Sequence, residues 1–270
     1  MNKNNKLAFF SDLDGTLLNN THQFSDYTKE MVDNIQKNGH YFVVTTGRLI
    51  GDAISQAKQL GLDKHKGFVI GNNGAALYSF RDNKFLWEMH FTNQEVKNLY
   101  EFAGQDFKLN LFGQKTVYVN KKGKNSLYWA KVMNANYNIS SSHNNITDNV
   151  YNGVLLSYKD LTKAEANKVI ADFRLKFPFL DIKQYSNRVF DISCKNISKG
   201  TALLFLSHHL NVYVKDTFSF GDSYNDLEMI EVAGNGIAVT NAIEDVLVKA
   251  KKIVGSNDED GVAKFLKEII

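Results

Sequence analysis

Short apolar runs alternate with longer stretches in which apolar residues recur every three or four positions. Residues 7–10, Leu-Ala-Phe-Phe, form the first run and read as a buried strand. Ser25 is placed to cap a helix running to about residue 38, with Met31, Val32 and Ile35 on its apolar face and Gly39 as its stop. Residues 41–45 form a second strand, a helix follows to about residue 60 and is closed by Gly61, and residues 68–70 form a third strand. The loop Gly71-Asn72-Asn73-Gly74 comes next. Strand, helix, strand, helix, strand predicts a parallel α/β sheet.

The pattern changes after residue 80. Strands now pair locally, 76–80 with 85–90 and 109–112 with 117–120, and residues 154–158 and 189–193 are further strands. Thr92-x-x-Glu95 and Thr162-x-x-Glu165 each have the form of a capping box that opens a helix. Residues 121–124 read as a hairpin turn, and the Asn/Ser-rich stretch 134–149 as a surface loop. Alternation then returns, with helices over 199–210, 223–232, 243–250 and 262–269 and strands over 217–220, 236–239 and 252–254. The expected architecture is α/β: residues 1–79 and 192–270 form one discontinuous, Rossmann-like parallel-sheet core, and residues 80–191 an inserted α+β cap.

Composition narrows this reading. The 270 residues suffice for one large domain or two ordinary ones. No apolar run approaches the ~20 residues of a membrane helix, residues 1–6 are polar and show no signal peptide, and the single cysteine, Cys194, forms no internal disulfide. These features point to a cytoplasmic protein. A net charge of +3 is too small to imply nucleic acid. The excess of Lys and Arg lies in the middle of the chain, as a basic face for anionic ligands or as scattered solvated lysines. None of the histidines shows metal-ligand spacing.

The chemistry concentrates at strand ends. Asp12-Leu13-Asp14 places two carboxylates directly after the first strand, with Gly15 free to turn the second one. Another apolar run ends in Gly221-Asp222, followed by Asn225 and Asp226. Carboxylates brought together from two strand ends make a hard-cation site of the kind Mg²⁺ prefers. In open α/β sheets, ligands gather beyond the carboxyl ends of the strands. Thr46 and the 71–74 loop fall there too.

Taken together, these motifs resemble the haloacid dehalogenase superfamily. Asp12-Leu13-Asp14-Gly15-Thr16-Leu17-Leu18 matches its first motif, Thr46-Gly47-Arg48 its second, Lys199-Gly200 its third and Gly221-Asp222-Ser223-Tyr224-Asn225-Asp226 its fourth. The spacing, with Asn235-Gly236-Ile237-Ala238-Val239 and Glu259-Asp260-Gly261-Val262, is similar to the Cof-type (IIB) branch.

The resemblance implies a Mg²⁺-dependent phosphomonoester hydrolase. Asp12 is then the nucleophile, forming an aspartyl-phosphate, and Asp14 the proton donor and acceptor. Thr46 and Lys199 hold the transferring phosphoryl group. Mg²⁺ takes Asp12, the Asp14 carbonyl and Asp222, supported by Asn225 and Asp226. Gly47, Arg48 and Asn73 are candidate substrate contacts. Arg48 serves equally well as the partner of a surface carboxylate, and Asn73-Gly74 as a hairpin turn. Arg188 and Asp191 lie where the insert returns to the core; either could reach substrate, and a hinge ion pair is the favoured reading. The expected partner is a small phosphorylated metabolite, with sugar phosphates first. No nucleic acid or membrane is implied, and the protein is a monomer or homodimer.

A phosphotransferase or mutase would share the same aspartates and differ only in the acceptor. A catalytically silent phosphate sensor would typically lack one of the four motif groups, and all four are present. A true dehalogenase would need neither the metal set nor Asp14.

Overall fold

A computed structural model of the chain describes residues 6–269; residues 1–5, where a signal peptide is sought in sequence, lie outside them. The elements in chain order begin with β1 (Ala8–Ser11), α1 (Asp26–Lys37), β2 (Tyr41–Thr45), α2 (Ile50–Gln59), β3 (Phe68–Gly71), β4 (Ala76–Ser79) and β5 (Lys84–Glu88). Next come α3 (Asn93–Ala103), β6 (Phe107–Phe112), β7 (Thr116–Val119), α4 (Lys124–Val132), β8 (Asn136–Ile139), β9 (Asn152–Ser157), α5 (Lys163–Lys176), β10 (Leu180–Gln184) and β11 (Val189–Cys194). The chain closes with α6 (Lys199–His209), β12 (Thr217–Gly221), α7 (Leu227–Val232), β13 (Asn235–Val239), α8 (Glu244–Lys249), β14 (Lys252–Val254) and α9 (Gly261–Ile269).

The described residues form two sheets, one in each of two compact units. One unit comprises residues 1–48, 53–87 and 198–270, the other residues 49–52 and 88–197. The first holds an eight-stranded sheet in the order β14-β13-β12-β1-β2-β3-β4-β5. Its strands run parallel from β14 to β3, and β3 pairs antiparallel with β4. Apolar runs such as Ala8-Phe9-Phe10 and Phe42-Val43-Val44 are buried on both faces, as a parallel sheet covered by helices requires. Met31, Val32 and Ile35 supply the buried face of α1, and Ser25 caps it by accepting from the Thr28 N–H.

The second unit holds a six-stranded sheet in the order β10-β11-β9-β6-β7-β8. Both expected capping boxes are formed, at α3 and at α5. One sheet face packs its own core, in which Leu99 of α3 and Phe173 of α5 meet Leu109, Leu155, Phe190 and Ile192.

Four local expectations need correction. The hairpin at residues 76–88 adds β4 and β5 to the first sheet, so that unit continues past residue 79 to Trp87. Residues 121–124 do not make a hairpin turn: Gly123 precedes α4, whose polar helix crosses from β7 to a parallel neighbour, β8. That neighbour lies inside the Asn-rich segment read as loop. β8 is a mostly exposed edge strand, and it escapes recognition because its alternation, Asn136-Tyr137-Asn138-Ile139, is only four residues long and lies within an Asn/Ser-rich stretch. Finally, Arg188 and Asp191 do not pair. The Arg188 Nε and Nη2 donate to the carbonyls of Ser157 and Tyr158, each at 3.1 Å.

Asp191 sits where β11 turns its residues alternately to the two sheet faces. Phe190, Ile192 and Cys194 enter the insert's core, and Asp191 faces the other way. It is only 8% exposed, and burial, against a lowering by Lys183 and with a rise from Asp181, pushes its carboxyl up to about 7. The folded protein thus keeps a proton that the unfolded chain releases near ~4. Stability from this group is full below about pH 4 and declines as pH rises to about 7. Asp191→Asn removes the decline, so its gain in melting temperature over wild type should grow from pH 4 to 7 and then level off. A pH-independent difference would show that Asp191 is ionised in the folded state.

Candidate active site

The adjacent parallel strands β12, β1, β2 and β3 deliver the motif residues to one edge of the sheet. Asp12 follows β1, Thr46 follows β2, Asn72 follows β3 and Asp222 follows β12. The Asp12 N–H donates to the Phe220 carbonyl at 3.0 Å, which carries the ladder one residue past the strand and fixes where the carboxylate begins.

Lys199 is the first residue of α6, after the N-cap Ser198, and it is fully buried. A cation there opposes the helix dipole. Two carboxylates offset this: the Lys199 Nζ donates to Asp12 Oδ1 and to Asp226 Oδ1, both at 2.7 Å. Burial alone would lower the lysine pKa, but the two carboxylates together hold it above its ordinary value. The remaining oxygen of Asp226, Oδ2, accepts from the Asp222 and Ser223 N–H groups at 3.1 Å each. Both oxygens of Asp226 are therefore occupied, which suits it to shaping the loop and orienting Lys199.

Asp12, Asp222 and Asp226 each offer a carboxylate oxygen, all within 4.8 Å of one another. Three carboxylates against one ammonium leave an excess of negative charge. This excess adds to burial in raising the carboxyl groups. Burial pushes Asp12 well above the usual carboxylate range, and Asp226 and Asp222 add to the rise against the lowering by Lys199. Burial, followed by the Asp226 charge, pushes Asp222 up to about 6. A divalent cation would supply the missing positive charge, and the all-oxygen donor set fits a hard ion. Asp12 and Asp222 are the carboxylates available to it, since Asp226 is committed elsewhere. One oxygen of Asp222, Oδ1, is held by the Thr16 hydroxyl at 2.7 Å.

Gly15 makes this closeness possible. Its φ is +77°, and a Cβ there would lie 2.7 Å from Asp222 Oδ2. The turn also directs Asp14 to different partners. Arg48 grips it through both oxygens, Nε to Oδ2 and Nη2 to Oδ1 at 2.6 Å each, and His22 Nδ1 lies 2.9 Å from Oδ1. Burial would raise the Asp14 carboxyl, but Arg48 and then His22 hold it below the usual range. Arg48 is 3% exposed. It pairs with a carboxylate, as one of its two sequence readings has it, but that carboxylate belongs to the first motif and not to the surface.

Thr46 accepts the Arg48 N–H on its hydroxyl at 3.1 Å. The Asn73 N–H donates to the Thr46 carbonyl at 3.1 Å, and the Asn225 Nδ2 donates to Asn73 Oδ1 at 3.0 Å. Asn73 is thus both a turn residue, with φ of +56°, and a link between the second and fourth motifs. A Cβ on Gly47 would lie 2.8 Å from Asn73 Oδ1, so these loops touch directly.

His22 and Thr16 are site residues that sequence reasoning left without a role. Thr16 stands inside the first motif, where a hydroxyl close to Asp222 was open to inference. His22 gave no signal: it reaches Asp14 from a turn in which its own φ is +58° and the Asn19 side chain accepts from Thr21 and Gln23.

Comparison with known proteins agrees with this geometry. The family model described as haloacid dehalogenase-like hydrolase matches residues 9–266. The chain belongs to that family. Phosphatase YwpJ of Bacillus subtilis is 28% identical over 284 residues, covering 96% of this chain and 98% of the relative. The 5-amino-6-(5-phospho-D-ribitylamino)uracil phosphatase YitU of Bacillus subtilis is 26% identical, covering 95% of each. Among solved structures, a haloacid dehalogenase-like hydrolase from Bacteroides thetaiotaomicron superposes with a TM-score of 0.85 at 23% identity, over 98% of this chain and 100% of that one. A subclass IIB sugar phosphatase of the superfamily gives 0.79 at 22% identity, over 98% and 99%. Identities this low establish the shared fold. This haloacid dehalogenase-like hydrolase thus has relatives named phosphatases along its full matched length, and hydrolases of its family generally use a divalent metal.

Gly15→Ala tests the close approach on which the acidic cluster depends. Left-handed backbone at alanine costs about 1–2 kcal/mol, and the methyl group must displace Asp222. Loss of Mg²⁺-dependent phosphate release, with a melting temperature only a few degrees lower, is the expected outcome. Wild-type activity would mean that Asp222 need not sit against this turn.

Proposed function

We propose that this hydrolase is a Mg²⁺-dependent phosphomonoesterase acting on a small phosphorylated metabolite, sugar phosphates first, through an aspartyl-phosphate on Asp12. The observation that carries the reading is the Lys199 ammonium held between Asp12 and Asp226, beside Asp222. A buried cation on one oxygen of Asp12 fixes the carboxylate and leaves Oδ2 to attack. The same ammonium then neutralises charge on the phosphoryl group, which is most of what phosphoryl transfer asks of a protein.

Mg²⁺ held by Asp12 and Asp222 would supply the remaining positive charge against which a dianion can approach a carboxylate. Thr46, through its hydroxyl and its place at the end of β2, would hold a phosphoryl oxygen. Asp14 would give a proton to the leaving alkoxide and afterwards take one from the hydrolytic water. Its grip by Arg48 and His22 keeps it ionised, the form needed for the second of these steps. For the first step Asp14 must let go of Arg48, whose guanidinium is then available to substrate oxygens. Asn73 and Asn225 would keep the Thr46 loop in register with the Asp222 loop. The unit of residues 88–197 would serve as the substrate-selecting cap. The phosphotransferase reading uses the same residues and differs in whether water or a second hydroxyl takes the phosphoryl group.

Asp12→Asn keeps the shape of the side chain and removes the nucleophile. Phosphate release from a panel of phosphorylated metabolites in Mg²⁺ should fall by at least about a thousandfold with the fold unchanged by circular dichroism. Normal turnover would remove Asp12 from the chemistry.

For Asp222→Ala the informative measurement is the Mg²⁺ titration of activity. The half-saturating concentration should rise about 10- to 100-fold. An unchanged titration would place the cation on other groups.

A further inference from the structure

The loop that follows β13 holds both acidic turns of the first unit. Asn241 stands in this loop, and its side chain makes two hydrogen bonds. Its Nδ2 donates to the Gly15 carbonyl at 2.7 Å, and its Oδ1 accepts from the Asn257 N–H at 3.1 Å. The second bond orients the first: a backbone N–H only donates, so the amide oxygen faces Asn257 and the amide nitrogen faces Gly15. Two residues on, the Ile243 N–H donates to the Asp222 carbonyl at 2.9 Å. One three-residue stretch thus grips the turn after Asp14 and the residue that this turn faces.

The stretch is itself anchored. The Thr240 N–H donates to the Val254 carbonyl and the Ala242 N–H to the Val239 carbonyl, both at 3.0 Å. Asn257 is buried, and its Nδ2 donates to the Leu18 carbonyl at 2.9 Å and to Asn20 Oδ1 at 3.1 Å. The first-motif loop is therefore fastened at Gly15 and again at Leu18 by the same group of residues.

These bonds act against a repulsion. Asp12 and Asp222 bring carboxylate oxygens within 4.8 Å of each other, and like charges that close push their loops apart. The loops meet at Gly15, where a Cβ would lie 2.7 Å from Asp222 Oδ2. On the inner side the Thr16 hydroxyl holds Asp222 Oδ1 at 2.7 Å. The Gly15 carbonyl and the Thr16 N–H belong to one planar peptide, so fixing that carbonyl sets the direction in which Thr16 leaves the turn. Asn241 is exposed, so core packing does not account for an amide at this position.

We propose that Asn241 is a positioning residue for the cation site: through the Gly15 carbonyl it orients Thr16, and through Thr16 the Asp222 carboxylate. The site is then arranged before a divalent ion arrives, and the ion does not have to draw two repelling loops together. The cation rests on the phosphatase reading above; the hold of Asn241 on the Gly15 turn does not.

The test titrates Mg²⁺ calorimetrically, without substrate, onto wild type, Asn241→Ala, Asn235→Ala and Asp222→Ala. Asn235 is the control at the opposite end of β13, where its Nδ2 donates to the Lys215 and Thr217 carbonyls at 3.2 and 3.1 Å. The Mg²⁺ dissociation constant should rise about tenfold in Asn241→Ala and less than about twofold in Asn235→Ala, with both melting a few degrees lower. An unchanged constant in Asn241→Ala, or equal rises in the two variants, would overturn the proposal. Thr16→Val checks the route. Adding Asn241→Ala to it should weaken Mg²⁺ binding by less than about twofold further, and a second full tenfold loss would show that Asn241 does not act through Thr16.

Hydrogen exchange of the metal-free protein reads the hold directly. The Thr16, Leu17 and Leu18 N–H groups all donate to the Leu13 carbonyl. In Asn241→Ala these amides and that of Ile243 should exchange at least about fivefold faster than in wild type, while those of α1 keep the wild-type rate. Unchanged exchange in the Gly15 turn, or equal acceleration in α1, would overturn the role of Asn241. Failure of wild type to bind Mg²⁺ more tightly than Asp222→Ala would count against the metal reading, and the exchange measurement would then decide the role of Asn241 by itself.

Discussion

The buried ammonium of Lys199 is the constraint around which the core of this protein is arranged. A lysine at the start of a helix, removed from water, is unfavourable twice over, by desolvation and by the helix dipole. It persists because Asp12 and Asp226 converge on it at 2.7 Å from the loops that follow two adjacent parallel strands. Removing the lysine would leave two buried carboxylates facing each other, and breaking a buried pair in this way costs about 3–5 kcal/mol. That requirement reaches back through the fold. The strands must be parallel neighbours for their carboxyl ends to meet, and the β3–β4 turn must let α6 approach. Gly74 allows that approach. With φ of +99° it lies against the Ser198 carbonyl, where any side chain would collide.

The balance of charge explains why the same centre is chemically unfinished. One ammonium does not neutralise three carboxylates, and the Asp226 charge adds to the burial that pushes Asp222 up to about 6. Asp226 is satisfied by Lys199 and two backbone N–H groups, so the deficit falls on Asp12 and Asp222. A cation would be held by these two residues in particular, and one of them is the residue proposed to attack phosphorus. Under the proposed function, metal binding and the readiness of Asp12 would be coupled through this geometry, with Asp226 and Lys199 as the fixed side and Asp222 as the open one.

Much of the core was legible in sequence because its signals are local. Four-residue apolar runs, Ser25 as an N-cap, Gly39 and Gly61 as stops and both Thr-x-x-Glu boxes are written within a turn or two of where they act. The site motifs were legible for the same reason: each is a short segment at a strand end, and the parallel sheet brings the ends together. What escaped depends on partners distant in sequence. β8 is polar and exposed, and its existence is decided by β7 and by the crossover helix α4. His22 reaches Asp14 through a turn with no apolar pattern at all. Arg48 had two plausible partners, and only the position of Gly15 settles which carboxylate it finds.

Asp191 shows the same limit from the other side. In sequence, a basic and an acidic residue three apart suggest an ion pair. On a strand such residues point to opposite faces, and here Arg188 instead binds the carbonyls of Ser157 and Tyr158. The alternation that fills the insert's core with Phe190, Ile192 and Cys194 puts Asp191 on the opposite face of the sheet. A fold optimised only for stability would place a valine or threonine there. Keeping a carboxyl group at that register position lowers stability at neutral pH. In the core, by contrast, buried carboxylates are met by an ammonium, with Lys199 donating to both Asp12 and Asp226.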